Sequence, residues 1–265
     1  MPDPAAPAAP PTAWVLDLDG VVWLGTRILE GAAEAVRRLR GHGHRVGFCT
    51  NNSGTAVAAY LSKLERAGIE AVEADLVTSA MAAGQLLSPG ERVLAVGGAG
   101  LREAILERGA EIVGPEDRAD TVLVGFDPTF DYAAMRAATR AVLGGARLLA
   151  SNNDPIFPSS DGPAPGCGAI LASIERATGT VATVAGKPYA PMCRLVLDRF
   201  GNDGVMVGDS VDTDGALASA LGWPFGLVLS GNTAADSVPR GQDPAWVAAD
   251  LAALVNRWMP DAPAP

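Results

Sequence analysis

Cysteine, histidine and aromatic residues are scarce in this 265-residue chain, and basic residues are outnumbered. The three cysteines, Cys49, Cys167 and Cys193, lie far apart and form no C-x-x-C pair. That excludes a disulfide framework and a cysteine-built zinc site, and leaves buried free thiols in a reducing compartment as the expectation. Only two histidines are present, His42 and His44 in G-H-G-H. Lying in the turn before an expected strand, at the sheet edge opposite the ligands, they read as solvated loop residues and not as metal ligands. Lysine and arginine number 20 against 30 acidic residues, for a net charge of −10. This balance argues against a nucleic-acid or anionic-membrane surface, which needs basic patches. The longest uncharged window, 215–235, is broken by Gly222, Pro224, Gly226, Gly231 and Asn232, whereas a membrane helix needs about 20 predominantly apolar residues. The Pro- and Ala-rich segment 1–13 has neither a basic start nor an apolar run, so a disordered tail is expected there and not a signal peptide. Together these absences lead to the expectation of a cytoplasmic protein with no nucleic-acid or membrane partner.

What is present is a chain of 48% hydrophobic residues, enough for a sizeable core, and one unusual stretch: Trp14-Val-Leu-Asp-Leu-Asp-Gly-Val-Val-Trp-Leu-Gly25. A short apolar strand, Trp14–Leu16, runs straight into D-x-D-G. On a strand, residues i and i+2 share a side, so Asp17 and Asp19 are expected to converge. Two carboxylates that close repel each other unless a cation or a proton lies between them. Mg²⁺ would serve, binding oxygen ligands and drawing in a phosphate.

Strand and helix patterns alternate along the rest of the chain. Helices are expected over 31–40, through Val57–Leu64, and over 80–87, 101–108, 132–143, 169–178 and 191–200, with one more ending near Leu221. Strands are expected at 45–50, 77–78, 93–96, 122–124, 147–150, 183–185, 205–207 and 226–229. Such alternation predicts an α/β protein with parallel sheets. A break at Ser88-Pro89-Gly90 suggests an inserted α/β segment. The expected organisation is a first core part over 14–87, an inserted cap domain over 88–183 and a second core part over 184–265. The stretch 151–166, with four prolines, reads as one long loop of functional importance. Gly97-Gly98-Ala99-Gly100 does not match G-x-G-x-x-G and reads as a tight strand–helix turn. Trp14 and Trp23, flanking the first strand, read as packing residues.

Four sets of side chains then fall at the carboxyl ends of expected strands: Asp17 with Asp19, Thr50 with Asn51, Lys187, and Asp209 with Asp214. In an open parallel sheet that edge is where ligands bind. Each set has a role in phosphoryl transfer. Asp17 can attack phosphorus and form an aspartyl-phosphate. Asp19 can protonate the leaving oxygen and later deprotonate the attacking water. Mg²⁺ would be held by Asp17, the backbone carbonyl of Asp19 and Asp209. Gly20, the Thr50 hydroxyl, the Asn51 N–H and Lys187 would bind the phosphate, with the turn after Thr50 offering free N–H groups at a helix N-terminus. Lys187 would also neutralise charge in the transition state. Asp214 is expected to orient a metal-bound water or Lys187 from outside the ligand set. Asn153 and Asp154, on the long loop, are expected to face the site and select the leaving group.

The motifs D-L-D-G, T-N-N-S, G-K-P and G-D-x-x-x-T-D, in this order, resemble the four motifs of the haloacid dehalogenase (HAD) superfamily. D-L-D-G-V-V-W-L-G, V-L-A-V-G-G-A-G-L-R-E-A, D-P-I-F-P-S-S-D-G-P-A-P-G and G-W-P-F-G-L-V-L-S-G narrow the resemblance to subfamily IIA. That branch holds the NagD-like, p-nitrophenyl phosphatase-like and phosphoglycolate–pyridoxal phosphatase-like proteins. The resemblance covers about 14–255. It implies a Rossmann-like core with a large C2-type α/β cap between the second and third motifs. It also implies a Mg²⁺-dependent phosphatase acting on a small phosphorylated metabolite such as a glycerol, glycolate, sugar, nucleoside or pyridoxal phosphate, and it admits a homodimer. Ser210 stands where relatives often carry Arg or Asn, and Gly54 where a second Ser is common. A non-catalytic phosphometabolite-binding protein and a phosphotransferase stand as alternatives. The intact Asp19 and Lys187 favour catalysis.

Overall fold

The computed structural model describes residues 13–159, 162–233 and 244–259, so the expected tail lies outside the described residues apart from Ala13. In chain order the elements begin with β1 (Ala13–Leu16), the short strands β2 (Trp23–Leu24) and β3 (Arg27–Ile28), α1 (Ala32–Gly41), β4 (Arg45–Thr50), α2 (Val57–Arg66), β5 (Leu76–Thr78) and α3 (Ser79–Gly84). There follow β6 (Arg92–Val96), α4 (Ala99–Glu107), β7 (Glu111–Ile112), β8 (Thr121–Val124), α5 (Tyr132–Leu143), β9 (Arg147–Ala150), β10 (Ile156–Ser159), β11 (Gly162–Pro165), α6 (Cys167–Thr178) and β12 (Thr183–Val184). The last are α7 (Ala190–Phe200), β13 (Gly204–Gly208), α8 (Ala216–Leu221), β14 (Phe225–Val228), β15 (Trp246–Ala248) and α9 (Leu251–Trp258). Two compact units result. One comprises residues 1–49, 64–76 and 196–265; the other comprises 50–63 and 77–195. The second unit thus takes in 50–63, 77–87 and 184–195 besides the stretch 88–183.

The first unit is built on a six-stranded sheet of order β15-β14-β13-β1-β4-β5. Strand β1 lies between two parallel partners, with Leu16 opposite Val207 on one side and Phe48 on the other. All four residues of β1 and of β14, and all five of β13, are buried. Their unbroken apolar sequences suit strands covered on both faces. Gly47, in the middle of β4, is required by close approach: a Cβ there would lie 2.2 Å from the Phe200 ring. The Arg45 guanidinium stacks on the same ring, 4.9 Å from its centroid. Helix α9 starts at an Asp250 cap, whose carboxylate accepts the Ala253 N–H at 2.8 Å, and buries Leu251, Leu254 and Val255. Its last residue, Trp258, changes the expected place of His44. That histidine is only 8% exposed; its ring lies 5.3 Å from Trp258 and 6.2 Å from Trp14. His42 is exposed. The expectation of two solvated histidines is therefore corrected for His44, because a helix from the far end of the chain covers it.

The second unit carries a five-stranded parallel sheet, order β12-β9-β8-β6-β7. Its core joins Leu94, Val96, Val122, Val124 and Leu148 on the strands to Ala138 and Val142 of α5 and Ile170, Leu171 and Ile174 of α6. Glu91, Thr121 and Arg147 are tied together at the strands' amino ends: the Thr121 hydroxyl and Arg147 Nη2 both donate to Glu91 Oε1, the latter at 2.6 Å. The stretch expected as one long loop contains a two-stranded antiparallel ribbon, β10–β11, with Pro158 opposite Pro163. A ribbon of two strands leaves an outer edge on each, where a residue without an N–H breaks no ladder bond. The prolines that suggested a loop are compatible with this pairing.

Among the described residues no helix is long and apolar enough to cross a membrane.

Candidate active site

Within the first unit, Asp17, Asp209 and Asp214 come together. All three are buried, and each offers one carboxylate oxygen within 4.8 Å of the others. Asp17 directly follows β1, its N–H continuing the ladder to Val207 O at 2.8 Å. Asp209 directly follows β13. Asp214 comes from the single π-helical turn Val211–Gly215, which swings its carboxylate back over Gly208. A Cβ at Gly208 would stand 2.1 Å from that carboxylate, so the glycine of G-D-x-x-x-T-D is required by space. Gly20 and Gly231 play the same part for Asp209: a Cβ on either would lie 2.2 or 1.9 Å from Asp209 Oδ2. Gly20 also has φ +86°, a left-handed conformation that glycine adopts without penalty.

The strand alternation that placed Asp17 and Asp19 together ends at Leu16. Residues 18–23 fold into a turn in which the Val22 and Trp23 N–H groups donate to Leu18 O and the Gly20 N–H donates to Trp23 O. Trp23, fully buried, donates its indole N–H to Asp19 Oδ1 at 3.1 Å. Asp19 is thus positioned by the turn and by an indole, not by a strand face.

Three buried carboxylates this close oppose one another, and burying such charge costs free energy unless it is paired. Backbone donors meet part of that cost. The Asn232 N–H donates to Asp209 Oδ2 at 2.6 Å, and the Ser210 N–H to Asp214 Oδ2 at 3.2 Å. The Thr233 hydroxyl donates to Asp209 O and the Ser230 hydroxyl to Gly20 O, both at 2.6 Å. An oxygen-only, anionic, buried donor set of this kind suits a hard divalent cation. Ser230, Asn232 and Thr233 escaped the sequence reading. The Gly231 break after a strand marks their loop, but nothing local connects it to Asp209.

In the second unit, Asn51, Asp154 and Lys187 come together. Asn51 Oδ1 accepts the Lys187 N–H at 2.7 Å. Its Nδ2 donates to both oxygens of Asp154, at 3.2 and 3.0 Å, and to Lys187 O at 3.3 Å. Asn51 O accepts Asn152 Nδ2 at 2.6 Å and the Ser79 hydroxyl. Lys187, in a cis Lys187–Pro188 unit, is 3% exposed. Asn153 is exposed and donates to the Tyr189 hydroxyl at 2.9 Å. The buried Thr50 closes the turn after β4 by accepting the Asn52 N–H at 3.1 Å, and the Gly54 N–H goes to Asn52 Oδ1. These N–H groups, expected to be open to an anion, are bonded within the turn. At the start of α2 the Val57 N–H donates to Glu103 Oε2 at 2.9 Å, so a carboxylate from α4 meets the helix end that was expected to be open to an anion. The Gly98 and Gly100 turn packs against this same loop. A Cβ at either would fall 2.5 or 2.2 Å from a carbonyl of Gly54 or Thr55.

Cys167 lies beside this group, 3.7 Å from the Ser151 hydroxyl. Burial pushes its thiol up to about 11, against the lowering effect of hydrogen bonding with Ser151 and the Asn152 backbone. The thiol is therefore protonated at neutral pH and offers no nucleophile.

These geometries define an α/β protein that gathers carboxylates at the carboxyl edge of a parallel sheet. Residues 14–111 match the family described as haloacid dehalogenase-like hydrolase, and residues 184–254 match the one described as HAD-hydrolase-like. The chain is 38% identical over 234 residues to a D-glycerol 3-phosphate phosphatase of Mycobacterium tuberculosis, covering 84% of this chain and 65% of that protein. With an acid sugar phosphatase of Staphylococcus haemolyticus it shares 35% identity over 207 residues, 76% of this chain and 78% of the relative. The solved p-nitrophenyl phosphatase from Archaeoglobus fulgidus superposes with a TM-score of 0.87 at 31% identity, covering 94% of this chain and all of that one. A glycerol phosphate phosphatase from M. tuberculosis in complex with magnesium gives a TM-score of 0.85 at 33% identity, covering 94% of this chain and 78% of that one. The chain belongs to the haloacid dehalogenase-like hydrolase family, among its phosphatases.

Proposed function

We propose that this protein hydrolyses the phosphomonoester of a small polyol or sugar-like metabolite through an aspartyl-phosphate on Asp17. The observation that carries the reading is the buried trio Asp17, Asp209 and Asp214, kept clear by Gly20, Gly208 and Gly231. In the first step an Asp17 oxygen forms a bond to phosphorus while the ester P–O bond breaks, and Asp19 gives its proton to the departing alkoxide oxygen. In the second, Asp19 takes a proton from water as the water oxygen attacks phosphorus. The acyl-phosphate P–O bond breaks, inorganic phosphate leaves and Asp17 is restored. Mg²⁺, held by Asp17 and Asp209 and by the Asp19 carbonyl, would polarise the phosphoryl oxygens when bound. Asp214 borders that set and orients its neighbours. Thr50, the Asn51 N–H, Gly20 and Lys187 receive the remaining phosphoryl oxygens, and Lys187 offsets their growing charge. The stretch 88–183 acts as a cap, and Asn153 and Asp154 select the leaving alcohol.

The glycerol phosphate and sugar phosphate relatives favour a small hydroxylated leaving group. The test is release of p-nitrophenol from p-nitrophenyl phosphate with and without Mg²⁺, followed by a kcat/KM comparison across glycerol, glycolate, sugar, nucleoside and pyridoxal phosphates. Hydrolysis should require Mg²⁺ and fall at least about 1,000-fold in Asp17→Asn. Full activity in that variant would end the proposal.

A further inference from the structure

We propose that Asn152, which lies in none of the four motifs, is a positioning residue for Lys187, acting through Asn51. The inference rests on the phosphatase reading for its kinetic consequence and on geometry alone for the positioning. Asn152 is 3% exposed, and both ends of its amide are engaged. Its Nδ2 donates to Asn51 O at 2.6 Å, and its Oδ1 accepts the Asp154 N–H at 3.1 Å. Asn51 in turn reaches Asp154 with its own Nδ2. The circuit closes: Asn152 to the Asn51 carbonyl, the Asn51 amide to the Asp154 carboxylate, and the Asp154 N–H back to Asn152. Two loops far apart in sequence, 50–54 and 151–154, are locked by two side-chain amides.

The same Asn51 amide grips the Lys187 backbone at both its N–H and its C=O. It cannot pivot without breaking the circuit, because Asn51 O is held by two donors, Asn152 Nδ2 and the Ser79 hydroxyl. Ser79 is fully buried. Space enforces the grip as well: a Cβ at Gly186 would lie 2.6 Å from Asn51 Oδ1 and 2.6 Å from Ser151 O. The glycine of G-K-P therefore lets the lysine's backbone approach the Asn51 amide. An amide carries no charge and is a poor proton donor or acceptor, so Asn152 has no chemical step to perform. In a buried, low-dielectric setting its hydrogen bonds are strong and directional, which suits it to fixing the loop that bears the ammonium.

The test uses Asn152→Ala, Asn51→Ala and the double variant in the full-length protein. Three quantities are read: kcat and KM on p-nitrophenyl phosphate with Mg²⁺, amide hydrogen exchange at Lys187, and Tm. Asn152→Ala should lower kcat about 10- to 100-fold with a smaller change in KM, since misplacement by about 1 Å costs on that order. Exchange at Lys187 should quicken at least about tenfold through loss of its held acceptor. The double variant should be no more than about threefold slower than Asn51→Ala alone, because the two residues act as one unit. Unchanged exchange at Lys187, or fully additive losses in kcat, would overturn the proposal. If Asn152→Ala does not fold, Asn51→Asp keeps the acceptor for the Lys187 N–H and removes the Nδ2 bonds to the Asp154 carboxylate and to Lys187 O. It should lower kcat to the same degree, and wild-type kcat in it would also overturn the proposal. A wild-type protein inactive on every phosphomonoester would sink the phosphatase reading instead. In that event Lys187 exchange in Asn152→Ala still decides whether the bracket exists.

Discussion

Asp209 shows how residue-scale constraints accumulate at one atom. Its Oδ2 accepts the Asn232 N–H, and Gly20 and Gly231 leave the space beside it empty of side chains. Asp17 and Asp214 offer oxygens within 4.8 Å. Without a cation the trio repels itself, and with one the repulsion becomes attraction. Neutralising one member should therefore move stability in opposite directions in the two states. In Asp209→Asn the amide oxygen can still accept the Asn232 N–H. The metal-free variant should melt about 2–4 °C above the metal-free wild type, corresponding to about 1 kcal/mol of relieved repulsion in a chain of this length. With Mg²⁺ at about a hundred times its dissociation constant the wild type should gain about 2.7 kcal/mol, whereas the variant should gain little and lose hydrolysis. Thermal melts in EDTA and in Mg²⁺ check both halves. A variant that melts below wild type in EDTA would mean that the carboxylates do not repel.

At the scale of elements, the longer ones were legible, and so were the short β5, β9 and β12, which end an apolar run at a turn, whereas several other short ones were not. The expected bounds for β4 and α5 coincide with those observed, because six and twelve residues give a periodic pattern room to repeat. Strands β2, β3, β7 and β15 have two or three residues, too few for any period, and they exist because a neighbour supplies the pairing. Helix α9 was also missed; it is eight residues long. The motif residues Asp17, Thr50, Lys187 and Asp209 could be read because their spacing from strand ends is local. Ser79, Asn152, Asn232 and Thr233 could not, because their partners lie far away in sequence. Helix α2 makes the same distinction testable. Its first N–H groups looked like an anion site, but Glu103 from α4 meets the Val57 N–H. Glu103→Ala should lower stability by about 0.5–2 kcal/mol, as loss of a helix cap does, while kcat stays within about threefold of wild type. A large rise in KM for every phosphomonoester, with Tm unchanged, would return that helix end to the substrate.

Over the whole molecule, acidic residues exceed basic ones by ten, yet net charge does not decide how stability follows pH. What decides it is which groups titrate differently folded and unfolded. Glu91 is one such group. Burial works to raise its pKa, but hydrogen bonds from the Thr121 hydroxyl, Arg147 and the Ser88 N–H, together with the Arg147 charge, outweigh this and hold it below the usual 4.5. The group binds the strand ends of the second unit to each other, with Arg147 Nη2 at 2.6 Å from the carboxylate and Arg147 Nε donating to Thr121 Oγ1 at 3.2 Å. Since the folded pKa is depressed, the stabilisation is fully present above pH 4.5 and is lost as pH falls through the lower, folded value. Glu91→Gln keeps the shape and removes the charge, so it should cost about 1 kcal/mol at pH 7, the Arg147 side chain being half exposed to solvent. The gap in Tm between wild type and variant should hold steady from pH 7 to about 5.5 and narrow below pH 4.5 as the wild-type carboxylate takes up its proton. Melting curves at half-unit pH intervals between 3 and 7 measure it, and a gap that stays constant through that range would show that packing, not the charge on Glu91, holds those strand ends.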